Sequence, residues 1–174
     1  MSKTTIEFFS QSENDYYQAN NTQNRLYIYL QLNGRRHETS QKRLPLNISC
    51  IMDKSGSMHG EKLENVKKAL DFVIGQLRSE DQLSIVEYDS NVSVLSAQAP
   101  VRDKEALKKK VAAIVSGSAT NLSGGMLEGY SQVRSTKKDG FVNRALLLSD
   151  GLANQGVTDP IQLQQIAQKK FRED

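Results

Sequence analysis

The sequence predicts an α/β domain: a doubly wound, mostly parallel sheet with helices on both faces, preceded by a short N-terminal β segment. Three observations carry that prediction. Short apolar runs at residues 48–52, 83–88 and 144–149 are bounded by polar turn residues, as strands buried in a sheet are. The segments following the first two of these places carry apolar residues at helical spacing, with charged residues opposite. The resulting order, β-α-β-β-α-loop-α-β-α, is the one that builds a parallel sheet covered by helices.

Taken in order, residues 5–9 alternate weakly and predict a strand, and residues 10–24, rich in Asn and Gln, predict a loop. Residues 26–32 are a dense aromatic and aliphatic run, a strong strand signal that Asn33-Gly34 ends in a turn. Residues 35–43 are polar and mark a boundary, so that residues 1–43 form an N-terminal segment and residues 44–174 the α/β body. Pro45 belongs at the start of the central strand, because proline cannot donate inside a sheet. In residues 61–78, Leu63, Val66, Leu70, Val73, Ile74 and Leu77 make one helical face. Asp89-Ser90-Asn91 predicts a tight turn, with Val92 to Leu95 returning antiparallel to residues 83–88. Asp103 suits a helix N-cap, with Leu107, Val111, Ile114 and Val115 facing inward. Small polar residues at 117–125 predict a loop, and residues 126–133 a helix. Asp159-Pro160 is a helix start, a capping side chain followed by proline in the first turn, leading into residues 161–171.

Composition bounds the function. The chain has 174 residues, enough for one domain with a sizeable core, at 37% hydrophobic and 25% charged. No apolar run reaches the length of a membrane span. The first residues lack a signal-peptide core, a pointer to the cytoplasm that leaves the compartment open. Cys50, the single cysteine, allows no internal disulfide and reads as an inert buried thiol. Basic clusters such as Arg35-Arg36-His37 and Lys108-Lys109-Lys110 have no interleaved aromatic residues, so they read as solvated surface rather than a nucleic-acid interface.

The central strand ends in oxygen-bearing side chains: Asp53, Ser55 and Ser57, just before a helix. Ligands of open α/β sheets bind at the carboxyl ends of strands. Thr120 in the small-residue loop and Asp150 at the end of the last strand bring oxygens to the same edge, if the strands before Asp53 and Asp150 pair in parallel. Oxygen donors without His or Cys suit a hard divalent cation, Mg²⁺ first, with Mn²⁺ or Ca²⁺ also fitting. Two carboxylates and three neutral hydroxyls leave such an ion open to an incoming carboxylate.

Asp53-x-Ser55-x-Ser57, Thr120 and Ser149-Asp150-Gly151 resemble the metal-ion-dependent adhesion site of the von Willebrand factor type A domain family. Gly60-Glu61-Lys62-Leu63, Thr120-Asn121-Leu122-Ser123 and Leu147-Leu148-Ser149-Asp150-Gly151 agree with it, and the resemblance covers residues 44–174. It implies a Rossmann-like fold in which Ser55, Ser57 and Thr120 bind the ion directly, Asp53 and Asp150 act through water, and a protein partner's acidic side chain completes the shell. Asn121 and Gly151 take supporting roles. Residues 26–32 resemble, more loosely, the β segment preceding this domain in larger bacterial relatives. The family continues past the last helix with further strands, so the resemblance implies a fragment of a longer protein, with an open sheet edge beside residues 144–149.

Blander readings exist for each part. Ser and Asp before a helix serve as caps, Asp-Gly ends strands, and a threonine suits any polar loop. Three loops in the right order outweigh them together. The enzyme alternative is a metal-dependent phosphotransferase or hydrolase. An aspartate-nucleophile phosphatase needs a second acid two residues on, where Ser55 stands. A serine hydrolase needs a nearby base, and only His37 and His59 are present, with no G-x-S-x-G elbow and no phosphate-binding G-x-x-x-x-G-K-[ST] loop. His59 reads as rim rather than catalyst.

Overall fold

The structure, a computed structural model, describes residues 6–12, 27–34, 43–151 and 153–172. The chain divides into two compact units, residues 1–43 and 44–174. In the first, β1 (Ile6–Ser12) pairs antiparallel with β2 (Ile28–Gly34). Residues 10–12, the start of the expected loop, and the expected turn at Asn33-Gly34 are strand. Cross-strand pairing of Ser10 with Leu30 and Gln11 with Tyr29 recruits polar residues that have little strand preference of their own. Residues 5, 13–26 and 35–42, on which the start of the first strand and most of both polar loops were expected, lie outside the described residues.

In the second unit the elements follow the predicted order: β3 (Leu46–Asp53), α1 (Glu61–Gln76), β4 (Gln82–Tyr88), β5 (Val92–Pro100), α2 (Lys104–Ala112), α3 (Leu122–Ser135), β6 (Val142–Leu148) and α4 (Pro160–Arg172). The sheet order is β5-β4-β3-β6. β3 is parallel to both β4 and β6, and only β5 is antiparallel. The fold is therefore the expected α/β architecture, a mostly parallel sheet with helices on both faces. No described helix is long and apolar enough to cross a membrane.

The side-chain alternation of β3 explains both faces. Ile48, Cys50 and Met52 pack with Leu63, Leu70 and Ile74 of α1, Val111 of α2, and Leu83 and Ile85 of β4. Ile51 faces the other way, with Val86, Tyr88, Leu122 and Met126, joined by Leu163 and Ala167 of α4. Cys50 lies in the first of these clusters, and burial pushes its thiol up to about 12. A thiol held protonated there is chemically quiet.

Several boundaries differ from the sequence reading. α3 begins at Leu122, four residues before the expected start, because the Asn121 side chain caps it by accepting from Gly124 N at 3.1 Å. β5 runs to Pro100, with register shifts that accommodate its small polar second half. Val115, expected inward, is 74% exposed, since α2 stops at Ala112 and only Ile114 folds back into the core. β6 lies at the expected open edge beside residues 144–149 and is not the strongly buried strand its apolar run suggests, with Leu146 and Leu147 at 38% and 41% exposure.

Gly124-Gly125 looks like loop sequence, yet its role is close approach. A Cβ at Gly125 would lie 2.5 Å from the Tyr88 ring, and one at Gly129 2.2 Å from Ile51 Cδ1. α3 thus seats directly on β3 and β4. Gly75 in α1 has nothing within 4 Å of such a Cβ. Opposite signs follow in denaturant unfolding: Gly75→Ala stabilises by about 0.5–1 kcal/mol through helix propensity, whereas Gly125→Ala destabilises by about 1–3 kcal/mol through overpacking.

Candidate metal centre

The parallel pairing of β3 with β6 sets Met52 beside Leu148, so Asp53 and the Ser149-Asp150 turn leave the sheet side by side. On the other flank Asp53 is in register with Tyr88. Three chain segments therefore meet around one carboxylate, and Asp53 is fully buried there. Its Oδ1 accepts from the Ser55 backbone N–H at 2.8 Å. Its Oδ2 accepts from Tyr88 Oη at 3.1 Å and from Ser149 Oγ at 2.8 Å.

After Asp53 the chain makes a short 3₁₀ turn, Gly56–Met58. It brings Ser55 Oγ and Ser57 Oγ to 3.1 Å of each other. Ser55 is buried and Ser57 exposed, so this pair opens toward solvent on the Ser57 side. Thr120 reaches the same edge through its loop. Gly56 N–H donates to Ser118 O at 2.8 Å, and Gly117 N–H donates to Lys54 O at 2.6 Å. Thr120 is itself buried; its N–H donates to Asn154 Oδ1 at 2.7 Å, and its carbonyl accepts from the N–H groups of Asn154 and Gln155, each at 3.2 Å.

Asp150 is largely shielded, its side chain 15% exposed, and its Oδ2 accepts from Lys62 Nζ at 2.9 Å. Lys62 lies in the first turn of α1. A second lysine, Lys54, is held beside the turn by Glu87 at 3.2 Å, and Glu87 also accepts from Ser93 Oγ at 3.0 Å. Among the described residues no three His, Cys, Asp or Glu side chains cluster as a metal cage.

The structure thus brings Asp53, Ser55 and Ser57 into one bonded cluster. It ties the Thr120 loop to that cluster through backbone hydrogen bonds and joins Asp150 to it through Ser149. Four supporting residues were given no role at this site by the sequence reading. Tyr88 and Ser149 hold the Asp53 carboxylate, Asn154 holds Thr120, and Asp89 holds the loop by accepting from Asn121 N–H at its carbonyl, at 2.8 Å. The register of Tyr88 with Asp53 depends on strand pairing, which no local motif announces. Ser149, by contrast, stood within a quoted motif. His59 is exposed beside the turn, and His37 lies outside the described residues.

Residues 47–171 match the von Willebrand factor type A domain. The chain belongs to this family. An uncharacterized protein of Synechocystis is 32% identical over 118 residues, 68% of this chain and 28% of its own length. Human inter-alpha-trypsin inhibitor heavy chain H3 is 28% identical over 130 residues, 70% of this chain and 15% of its own length. The chain therefore spans less than a third of either relative. Among solved structures, proximal thread matrix protein 1 from the mussel byssus, with a zinc-occupied MIDAS motif, has the same fold. It superposes with a TM-score of 0.61 at 18% identity, over 75% of this chain and 36% of that one.

Tyr88 provides a check on the buried carboxylate. Burial, partly offset by a hydrogen bond with Ser149 and reinforced by the negative charges of Asp53 and Asp150, holds its hydroxyl protonated well above its ordinary value of 10.0. In the unfolded chain the phenol ionises at its ordinary value, so Tyr88 contributes full stability below that pH and progressively loses it above. Unfolding titrations should show stability falling as pH rises past about 9, the ordinary value of Cys50, and more steeply past about 10, and Tyr88→Phe should shallow the fall, leaving a residual slope from Cys50. At neutral pH the same variant should lose about 1–3 kcal/mol, because it leaves a buried carboxylate short of one donor.

Proposed function

We propose that this domain is a metal-dependent protein-binding module in which a divalent cation bridges to an acidic side chain of a partner. Ser55, Ser57 and Thr120 hold the ion directly, and Asp53 and Asp150 hold it through water. The bound ion supplies a positive charge that a carboxylate can complete. The observation that carries this reading is the 3.1 Å spacing of the Ser55 and Ser57 hydroxyl oxygens beside a buried aspartate. Adjacent ligands of an octahedral Mg²⁺, each about 2.1 Å from the ion, lie about 3 Å apart. An oxygen donor set without His or Cys suits a hard cation, Mg²⁺ first, with Mn²⁺ or Ca²⁺ also fitting.

The hydrogen bonds of Asp53 support its water-mediated role. A carboxylate offers about four acceptor positions, and Ser55, Tyr88 and Ser149 use three. One remains, enough for a bound water. The zinc-occupied MIDAS motif named for the mussel relative supports occupancy of the corresponding place by a divalent metal. Lys54 and Lys62 near the turn favour an acidic partner. The Synechocystis and human relatives are longer proteins, so the partner is met in the setting of a larger chain.

Calorimetric titration with Mg²⁺ and Mn²⁺ tests the ion. Ser57→Ala or Thr120→Ala should weaken binding by tenfold or more, about 1.4 kcal/mol, with circular dichroism unchanged. Wild-type protein that binds neither ion at millimolar concentration would overturn the reading. Partner capture should disappear with chelator. Turnover of a phosphate ester that vanishes in Asp53→Asn would favour an enzyme instead.

A further inference from the structure

We infer that Lys62 is a tethered counter-ion for Asp150, which an incoming divalent cation has to displace. This rests on the proposed ion site and adds a control that the donor set does not itself contain. The Lys62 ammonium lies 2.9 Å from Asp150 Oδ2. The two partners differ in freedom: the Asp150 side chain is 15% exposed and that of Lys62 59%. The carboxylate is held in the turn after β6, while the lysine, on a flexible stem, can swing into solvent. Exchange of cations at Asp150 then needs no movement of the backbone.

The position of Lys62 argues against an incidental surface pair. It stands in the first turn of α1, where the helix dipole disfavours a positive charge. Glu61 and Glu64 share that turn and suit it, yet the lysine is directed to Asp150 across 88 residues of sequence. Asp53 has its three donors, two hydroxyls and one N–H, but none of them carries a charge. Lys62 is a cation that the structure sets directly against a site carboxylate. It steadies Asp150 before the ion arrives. It also opposes the ion twice, by occupying an oxygen and by like-charge repulsion.

Mn²⁺ binding, followed by electron paramagnetic resonance and by calorimetry, tests this in the full chain. Lys62→Met keeps the stem and removes the charge; Lys62→Arg keeps the charge. The methionine variant should bind Mn²⁺ about three- to tenfold more tightly than wild type, the size expected of a partly exposed pair plus the lost repulsion. The arginine variant should bind within about twofold of wild type. The tightening should shrink at high salt. In chelator, the methionine variant should melt at or slightly below the wild-type temperature, which also reports that it folds; Lys62→Gln serves if it does not. Equal or weaker Mn²⁺ binding by the folded neutral variant overturns the inference while leaving the ion site intact. Absence of Mn²⁺ binding in the wild type removes the ion site and this inference with it.

Discussion

A carboxylate sealed from water survives only if donors replace the solvent it has lost. Asp53 is sealed, and its donors come from three separate stretches: its own turn, the end of β4 and the turn after β6. Those are the central strand of the sheet and its two parallel neighbours. One side chain therefore fastens together the carboxyl ends of β4, β3 and β6. Leaving any donor out would strand part of a buried charge, at a cost of about 1–3 kcal/mol. The demand for all three fixes where Ser55, Ser57 and Asp150 leave the sheet.

The Thr120 loop depends on the same point by a less direct route. α3 follows that loop, and it approaches the sheet closely because Gly125 and Gly129 carry no side chains. Gly125 rests against the Tyr88 ring, whose hydroxyl donates to Asp53. Seating the helix and orienting the carboxylate are thus one packing problem. The bonds from Gly56 to Ser118 and from Gly117 to Lys54 then lock the loop to the turn. Close-packed interiors transmit such constraints because there is no slack to absorb them.

The strands and helices of the α/β body were legible in the sequence because burial imposes a period, and so was the donor pattern, because it sits in short local motifs. What stayed hidden was governed by tertiary contact. Gly124-Gly125 carries a loop composition, and only the proximity of Tyr88 explains a helix there. Val115 continues the apolar period of α2, but the helix ends before it. Residues 146 and 147 look like core by composition alone, although the open edge expected beside residues 144–149 already implied a strand with one neighbour in the sheet. Tyr88 is a further case: as a strand residue it reads as packing, and its hydroxyl acquires meaning only once the register sets it beside Asp53.

Hydroxyls at this edge are more than a family habit. A carboxylate at position 55 would meet Asp53 in a space where uncompensated negative charge is costly. Serine gives an oxygen without that cost. The same choice leaves a bound dication with a deficit of negative charge, and Asp53, already engaged by three donors, can make up only part of it. On the proposed reading that deficit is the binding property, because it is relieved by a carboxylate arriving from outside. The fold's need to bury one charge safely and the site's need to attract another are met by the same substitution of hydroxyl for acid. An acid introduced at Ser57, the exposed member of the pair, would satisfy the ion from within and remove the reason for a partner to bind.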